Sequence, residues 1–107
     1  MRHHPAGPLA LAAALALCAG AASAASPEEA MNKAGCMACH SKDKKLVGPA
    51  FKDIAAKYKG KDVTAQLVDK VRKGGSGVFG PIPMSPNGPD KIDDADLKAA
   101  VEFILKS

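Results

Sequence analysis

The chain has 107 residues, 47% hydrophobic and 24% charged, with a formal net charge of +4. That length holds one small domain, and Phe51, Tyr58, Phe79 and Phe103 are its only aromatic side chains, so its own residues make a thin core. The positive charge is too modest for a nucleic-acid-binding surface.

Met1 to His4 carry Arg2 and two histidines, Leu9 to Ala19 form an Ala/Leu-rich run, and Ala22-Ser23-Ala24 makes a small-x-small cleavage site. This is the layout of a secretory signal peptide. The run is too short and too rich in alanine for a membrane span. Cys18 follows Leu17, where bacterial lipoprotein signals carry a small residue, so it reads as part of the discarded leader. The expected organisation is a cleaved signal peptide over residues 1–24 and a single exported, periplasmic domain over residues 25–107. A domain that small commonly leans on a metal, disulfides or a cofactor.

Ser26-Pro27-Glu28-Glu29 is a capping box with proline at the first helical position, and it opens a short helix through about Ala34. A lysine-bearing loop with the turn-forming pair Gly48-Pro49 follows. Phe51, Ile54, Ala55 and Tyr58 then recur with helical spacing up to Gly60. Asp62 is placed to cap a third helix with Ala65, Leu67, Val68 and Val71 apolar, stopped by Gly74-Gly75. The stretch from Gly74 to Pro89 holds glycines and four prolines and predicts no regular structure. Asp93 or Asp94 caps a last helix with Leu97, Ala100, Val101, Ile104 and Leu105 on one face. There is no convincing strand and no repeat. The expected fold is all-α, four short helices wrapped by two functional loops.

The segment after the first helix reads Cys36-Met37-Ala38-Cys39-His40, and C-x-x-C-H is the attachment signature of c-type haem. Two thiols two residues apart can both reach vinyl groups on one edge of the ring as thioethers, and the adjacent histidine is held under the iron as an axial ligand. A structural zinc site needs four ligands, and no Cys or His follows His40. A thioredoxin-like dithiol needs a βαβ setting, which this chain lacks. A buried haem also supplies the large apolar plate that the side chains do not, and export agrees with haem attachment outside the cytoplasm.

A second axial ligand is sought among the methionines. Met84 sits in Phe79-Gly80-Pro81-Ile82-Pro83-Met84-Ser85-Pro86. Most methionines are core filler, but those sit on helix faces rather than between prolines. Prolines restrict the loop and let it hold a weak thioether donor against iron. Met31 belongs to the first helix and reads as packing, and Met37 is trapped inside the attachment turn. With His40 and Met84 both bound, the iron changes oxidation state without binding substrate, and the soft thioether favours the ferrous form.

Gly35-Cys36-Met37-Ala38-Cys39-His40, then Val47-Gly48-Pro49-Ala50-Phe51, then Gly80-Pro81-Ile82-Pro83-Met84, closely resemble in order the short bacterial class I cytochromes c, the group that includes electron donors to nitrite reductase. The resemblance covers Pro27 to Lys106. It implies a small all-α cytochrome c fold around one covalent haem c, with the first and last helices crossing near it. It implies that the Pro49 carbonyl accepts from the His40 ring and that Pro83 and Asn87 support the methionine, Asn87 lying near its sulfur. Two positions depart from the family pattern. Phe79 stands where the family often has tryptophan, whose indole N–H serves a haem propionate. Lys70 stands where it often has arginine, and keeps the charge without the planar fork. Less firmly held propionates, and a potential that depends more on pH near neutrality, are expected.

Without Arg2 the exported chain carries 14 basic and 11 acidic residues. Ten of the basic residues fall between Lys42 and Lys73, against Asp43, Asp53, Asp62 and Asp69, while the segment from Asp90 onward is net acidic. The bland reading is solvated helix faces. The functional one is a lysine-rimmed face steering a monomeric carrier to acidic redox partners such as a quinol-cytochrome c reductase, a terminal oxidase or a nitrite reductase. The leading expectation is thus a soluble periplasmic electron carrier and not an enzyme. A haem protein with an openable sixth site (gas-binding or peroxidatic) and a dithiol oxidoreductase using Cys36 and Cys39 are the alternatives.

Overall fold

The architecture follows from where short helices can start and stop in a glycine- and proline-rich chain. The computed structural model describes residues 1–5 and 25–107, so the expected signal peptide and its cleavage site lie, beyond residue 5, outside the described residues. The first helix, α1, spans Pro27–Ala34. Ser26 caps it, its Oγ accepting from the Glu29 N–H at 3.2 Å, and Pro27 occupies the first turn, where its missing N–H costs nothing. Gly35 ends it at φ 86°, a left-handed position that a side chain would resist, and swings the chain into a 3-10 turn at Cys36–Ala38.

Helix α2 spans Phe51–Lys57 and α3 spans Thr64–Lys73. The expected cap by Asp62 is not made: α3 is capped at Val63, with no side-chain hydrogen bond. Val63 is buried. Burying a valine is worth about 1.5–3 kcal/mol against about 1 kcal/mol for a cap, so packing decides where the helix begins. Helix α4 spans Asp94–Leu105 and starts on Asp93, whose Oδ1 accepts from the Asp96 N–H at 2.8 Å.

The expectation that Gly74 to Pro89 carries no regular structure is corrected. Gly75–Gly77 (β1) and Gly80–Met84 (β2) form an antiparallel hairpin with Gly75 opposite Met84 and Gly77 opposite Gly80, broken by a bulge. In a two-stranded ribbon both strands are edges, and Pro81 and Pro83 fall between the paired positions, where a missing N–H interrupts nothing. The hairpin is small and exposed, and the fold remains all-α.

Met31 of α1, Phe51 of α2, Ile92, and Leu97, Ala100 and Val101 of α4 form the buried core. Met31 is packing, as its helix position predicts. Helix α4 packs on α1, α2 and α3 and is the element they share. Among the described residues no helix is long and apolar enough to cross a membrane.

Candidate cofactor site

A cavity of about 480 Å³ opens between the attachment turn, α3, α4 and the hairpin. Its size falls within the roughly 300–1,000 Å³ of small-molecule and cofactor sites. Cys36, Cys39, His40, Pro49, Lys70, Phe79, Pro83, Met84 and Asn87 all line it. Met37 does not, and packs against the core instead.

The attachment motif is folded by its own backbone. The Cys36 carbonyl accepts from the N–H groups of Cys39 (3.2 Å) and His40 (3.0 Å), which closes the turn, and both cysteines line the cavity. Cys36 and Cys39 are not joined to each other by a disulfide. Burial pushes the Cys36 thiol above its ordinary value, with the nearby Cys39 adding to that, while a hydrogen bond from its own backbone and the charge of Lys91 oppose it. The chain then folds back on the motif: the Gly48 N–H donates to Cys39 O (2.8 Å) and the Phe51 N–H to Ser41 O (2.9 Å).

That return sets the histidine. His40 Nδ1 lies 2.7 Å from the Pro49 carbonyl, which can only accept, so Nδ1 donates there and Nε2 is the nitrogen left for a metal. The ring stacks on Phe51 with centroids 5.5 Å apart. Gly48 presses on it so closely that a Cβ there would stand 2.6 Å from the ring's Cε1. Donor direction, ring plane and ring position are each fixed by a different neighbour.

The methionine is set by backbone. Gly74, at φ 70°, packs against the Met84 carbonyl, and a Cβ there would also lie 2.9 Å from Pro86 N. The Asn87 N–H donates to Val71 O at 3.0 Å, and its side-chain amide donates to Ser85 O (2.9 Å) and Val71 O (3.4 Å). Asn87 therefore braces the loop through carbonyls beside the methionine, where the resemblance placed its amide near the sulfur. Lys70 extends over Gly75, its Nζ 2.9 Å from where a Cβ would stand. Phe79 remains 39% exposed, with Lys57 Nζ 5.7 Å from its ring centroid.

Four contacts were not legible as site features. Gly48 and Gly74 read as punctuation, Phe51 as helix core, and Arg72 as one charge among ten. Each acts on residues far along the chain, so no local spacing signals it. A glycine beside Pro49 is the nearest thing to a cue for close approach.

The residues fit a haem. Two thiols and an imidazole with a bare Nε2 share one cavity with a thioether, the donor set of a six-coordinate c-type haem. The cavity is open at its mouth and lined largely by apolar side chains, which suits a flat apolar ring better than water.

A four-helix chain with C-x-x-C-H after its first helix and a methionine-bearing loop before its last is a class I c-type cytochrome. Residues 25–107 match the family described as Cytochrome c. The chain is 46% identical over 84 residues to cytochrome c2 of Rubrivivax gelatinosus, covering 78% of this chain and 99% of that one. It is 41% identical over 98 residues to cytochrome c-551 of Pseudomonas aeruginosa, covering 91% of each. Its fold matches the crystal structure of Nitrosomonas europaea cytochrome c552 with a TM-score of 0.67 and 46% identity, over 74% of this chain and 96% of that one. The chain belongs to the cytochrome c family, and carries one covalently attached haem c for electron transport.

Proposed function

We propose that this protein is an exported, diffusible electron carrier whose haem is attached through Cys36 and Cys39 and ligated by His40 and Met84. The observation that carries the reading is His40: its Nδ1 is engaged by Pro49, so only Nε2 remains to bind a metal, and it lines the same cavity as Met84. When bound, the haem supplies a reversible one-electron change at iron.

The chain's own part is to hold that change in place. Cys36 and Cys39 anchor the ring edge, and Gly48, Pro49 and Phe51 keep the imidazole from turning. Apolar side chains of α3 and α4 exclude water, which disfavours the extra positive charge of the oxidised state. With His40 and Met84 both donating to the haem iron, no position would be left there for a substrate. That separates the carrier from a gas-binding or peroxidatic protein, and a dithiol oxidoreductase leaves the Met84 loop without a role.

Partners follow from the surface. Val47, Val78, Phe79 and Ile82 are exposed at the cavity, and Lys42, Lys44, Lys45, Lys57, Lys59 and Lys61 are exposed on the segments beside it. An apolar mouth with Lys57 over Phe79, on a chain whose 42–45 and 57–61 segments expose further lysines, suits transient contact with acidic docking faces of a quinol-cytochrome c reductase, a terminal oxidase or a nitrite reductase. The leader supports a periplasmic location.

The test is the visible spectrum of the exported protein before and after dithionite. Sharp low-spin bands on reduction, preceded by a weak sulfur-to-iron charge-transfer band in the oxidised state, are expected. A high-spin haem without that band would move the reading to an open sixth site. Absence of haem from a cell competent in cytochrome maturation would leave the dithiol.

A further inference from the structure

Arg72 stands on the last turn of α3, outside the cavity lining. Its Nη1 donates to the carbonyls of Asn87 (3.2 Å) and Ile92 (2.7 Å), and its Nη2 to Asp94 Oδ1 (2.6 Å). The two carbonyls bracket residues 88–91, the segment joining the methionine loop to α4. The same turn of α3 receives the loop at Val71 and Gly74. The arginine side chain is only 17% exposed, whereas its carboxylate partner is 91% exposed. The guanidinium is therefore held mainly among carbonyls, and the ion pair is incidental to it.

We propose that Arg72 is the positioning residue of the Met84 loop: it clamps residues 87–92 to α3 and thereby sets how often the sixth axial position opens. This rests on Met84 as the axial ligand. An outside ligand binds iron only when the methionine has left, so its apparent affinity rises in proportion to the open fraction. Removing the guanidinium strands two carbonyls that open solvent can satisfy, which favours the open loop.

The experiment titrates oxidised holoprotein with imidazole and follows loss of the sulfur-to-iron charge-transfer band. Arg72→Met is expected to bind imidazole roughly tenfold more tightly than wild type. Arg72→Lys, with one ammonium in place of the fork, falls between them, and Asp94→Asn stays near wild type. Val63→Ala, a buried change outside the cavity lining, controls for general loss of stability and is expected to leave the affinity near wild type. Equal affinities in Arg72→Met and wild type would overturn the proposal, as would an equal gain in Val63→Ala. If Arg72→Met does not fold, Arg72→Lys decides, and a wild-type affinity there overturns it. A wild-type spectrum lacking the band from the outset overturns the Met84 reading instead.

Discussion

The two segments that meet at the cavity are held in opposite ways. Cys36 to Phe51 grips one ring from several sides, with the Pro49 carbonyl, the Phe51 ring and the bare Cα of Gly48 each in close touch with His40. Gly74 to Asn87 is an exposed hairpin and loop, with Ile82 58% exposed. It is registered by the backbone and side-chain N–H groups of Asn87 donating to Val71 O, by the Arg72 clamp, and by proline-restricted φ angles. A firm donor can be locked by packing because its neighbours never need to move. A weak thioether needs only a loop with few alternative conformations. Damage to the first segment should therefore break assembly, and damage to the second should retune a protein that still folds.

The largest effect tests that dependence at its root. Replacing Cys36 and Cys39 together with alanine removes covalent attachment. The far-UV circular dichroism of the purified chain should lose most of its helical signal, because a domain this small with so few large apolar side chains leans on its cofactor for a core. A helical chain without haem would show that the side chains close the cavity themselves.

Gly48→Ala comes next and strikes the packed segment alone. The added methyl meets the imidazole at 2.6 Å, so overpacking should cost about 1–3 kcal/mol, or roughly 4–8 °C in Tm for each kcal/mol. Thermal melting followed at the haem band checks this. Met84→Leu attacks the other segment with nearly conserved volume, and should cost less than about 1.5 kcal/mol in packing. It should abolish the charge-transfer band and lower the reduction potential while leaving the haem attached. If Met84→Leu unfolds the protein as readily as Gly48→Ala, the contrast between the segments fails.

Smaller effects sharpen the contrast. Pro83→Ala should destabilise by only about 0.4–1 kcal/mol, through extra freedom of the unfolded loop, and denaturant melting would resolve it. Phe79→Trp restores an indole N–H at the mouth. The reduction potential followed across neutral pH should then vary less than in wild type, and an unchanged slope would show that the propionates are held firmly without an indole N–H.

Much of this was readable along the chain, for a physical reason. Ser26, Pro27 and Gly35 act within one helical turn, so the bounds of α1 are local. Leu97 to Leu105 keep helical spacing, so the buried face of α4 is local too. Cys36, Cys39 and His40 lie within five residues, and their chemistry depends on that nearness. The hairpin was missed because Pro81 and Pro83 argue against a strand unless one knows they fall between paired positions. The Asp62 cap was overruled because burial of Val63 depends on residues far away in sequence.

By itself, then, the sequence determined the helices, the cofactor signature and the candidate donors, since each is written in residues a few positions apart and draws on backbone propensity or thiol, imidazole and thioether chemistry. The tertiary structure alone decided that Gly48 must lack a Cβ, that Phe51 stacks on His40, that Gly74 carries the Met84 backbone and that Arg72 bridges Asn87 and Ile92. Those contacts exist only once the chain has folded back on itself, because close approach between segments is a property of the assembled volume and leaves no periodic trace in the chain.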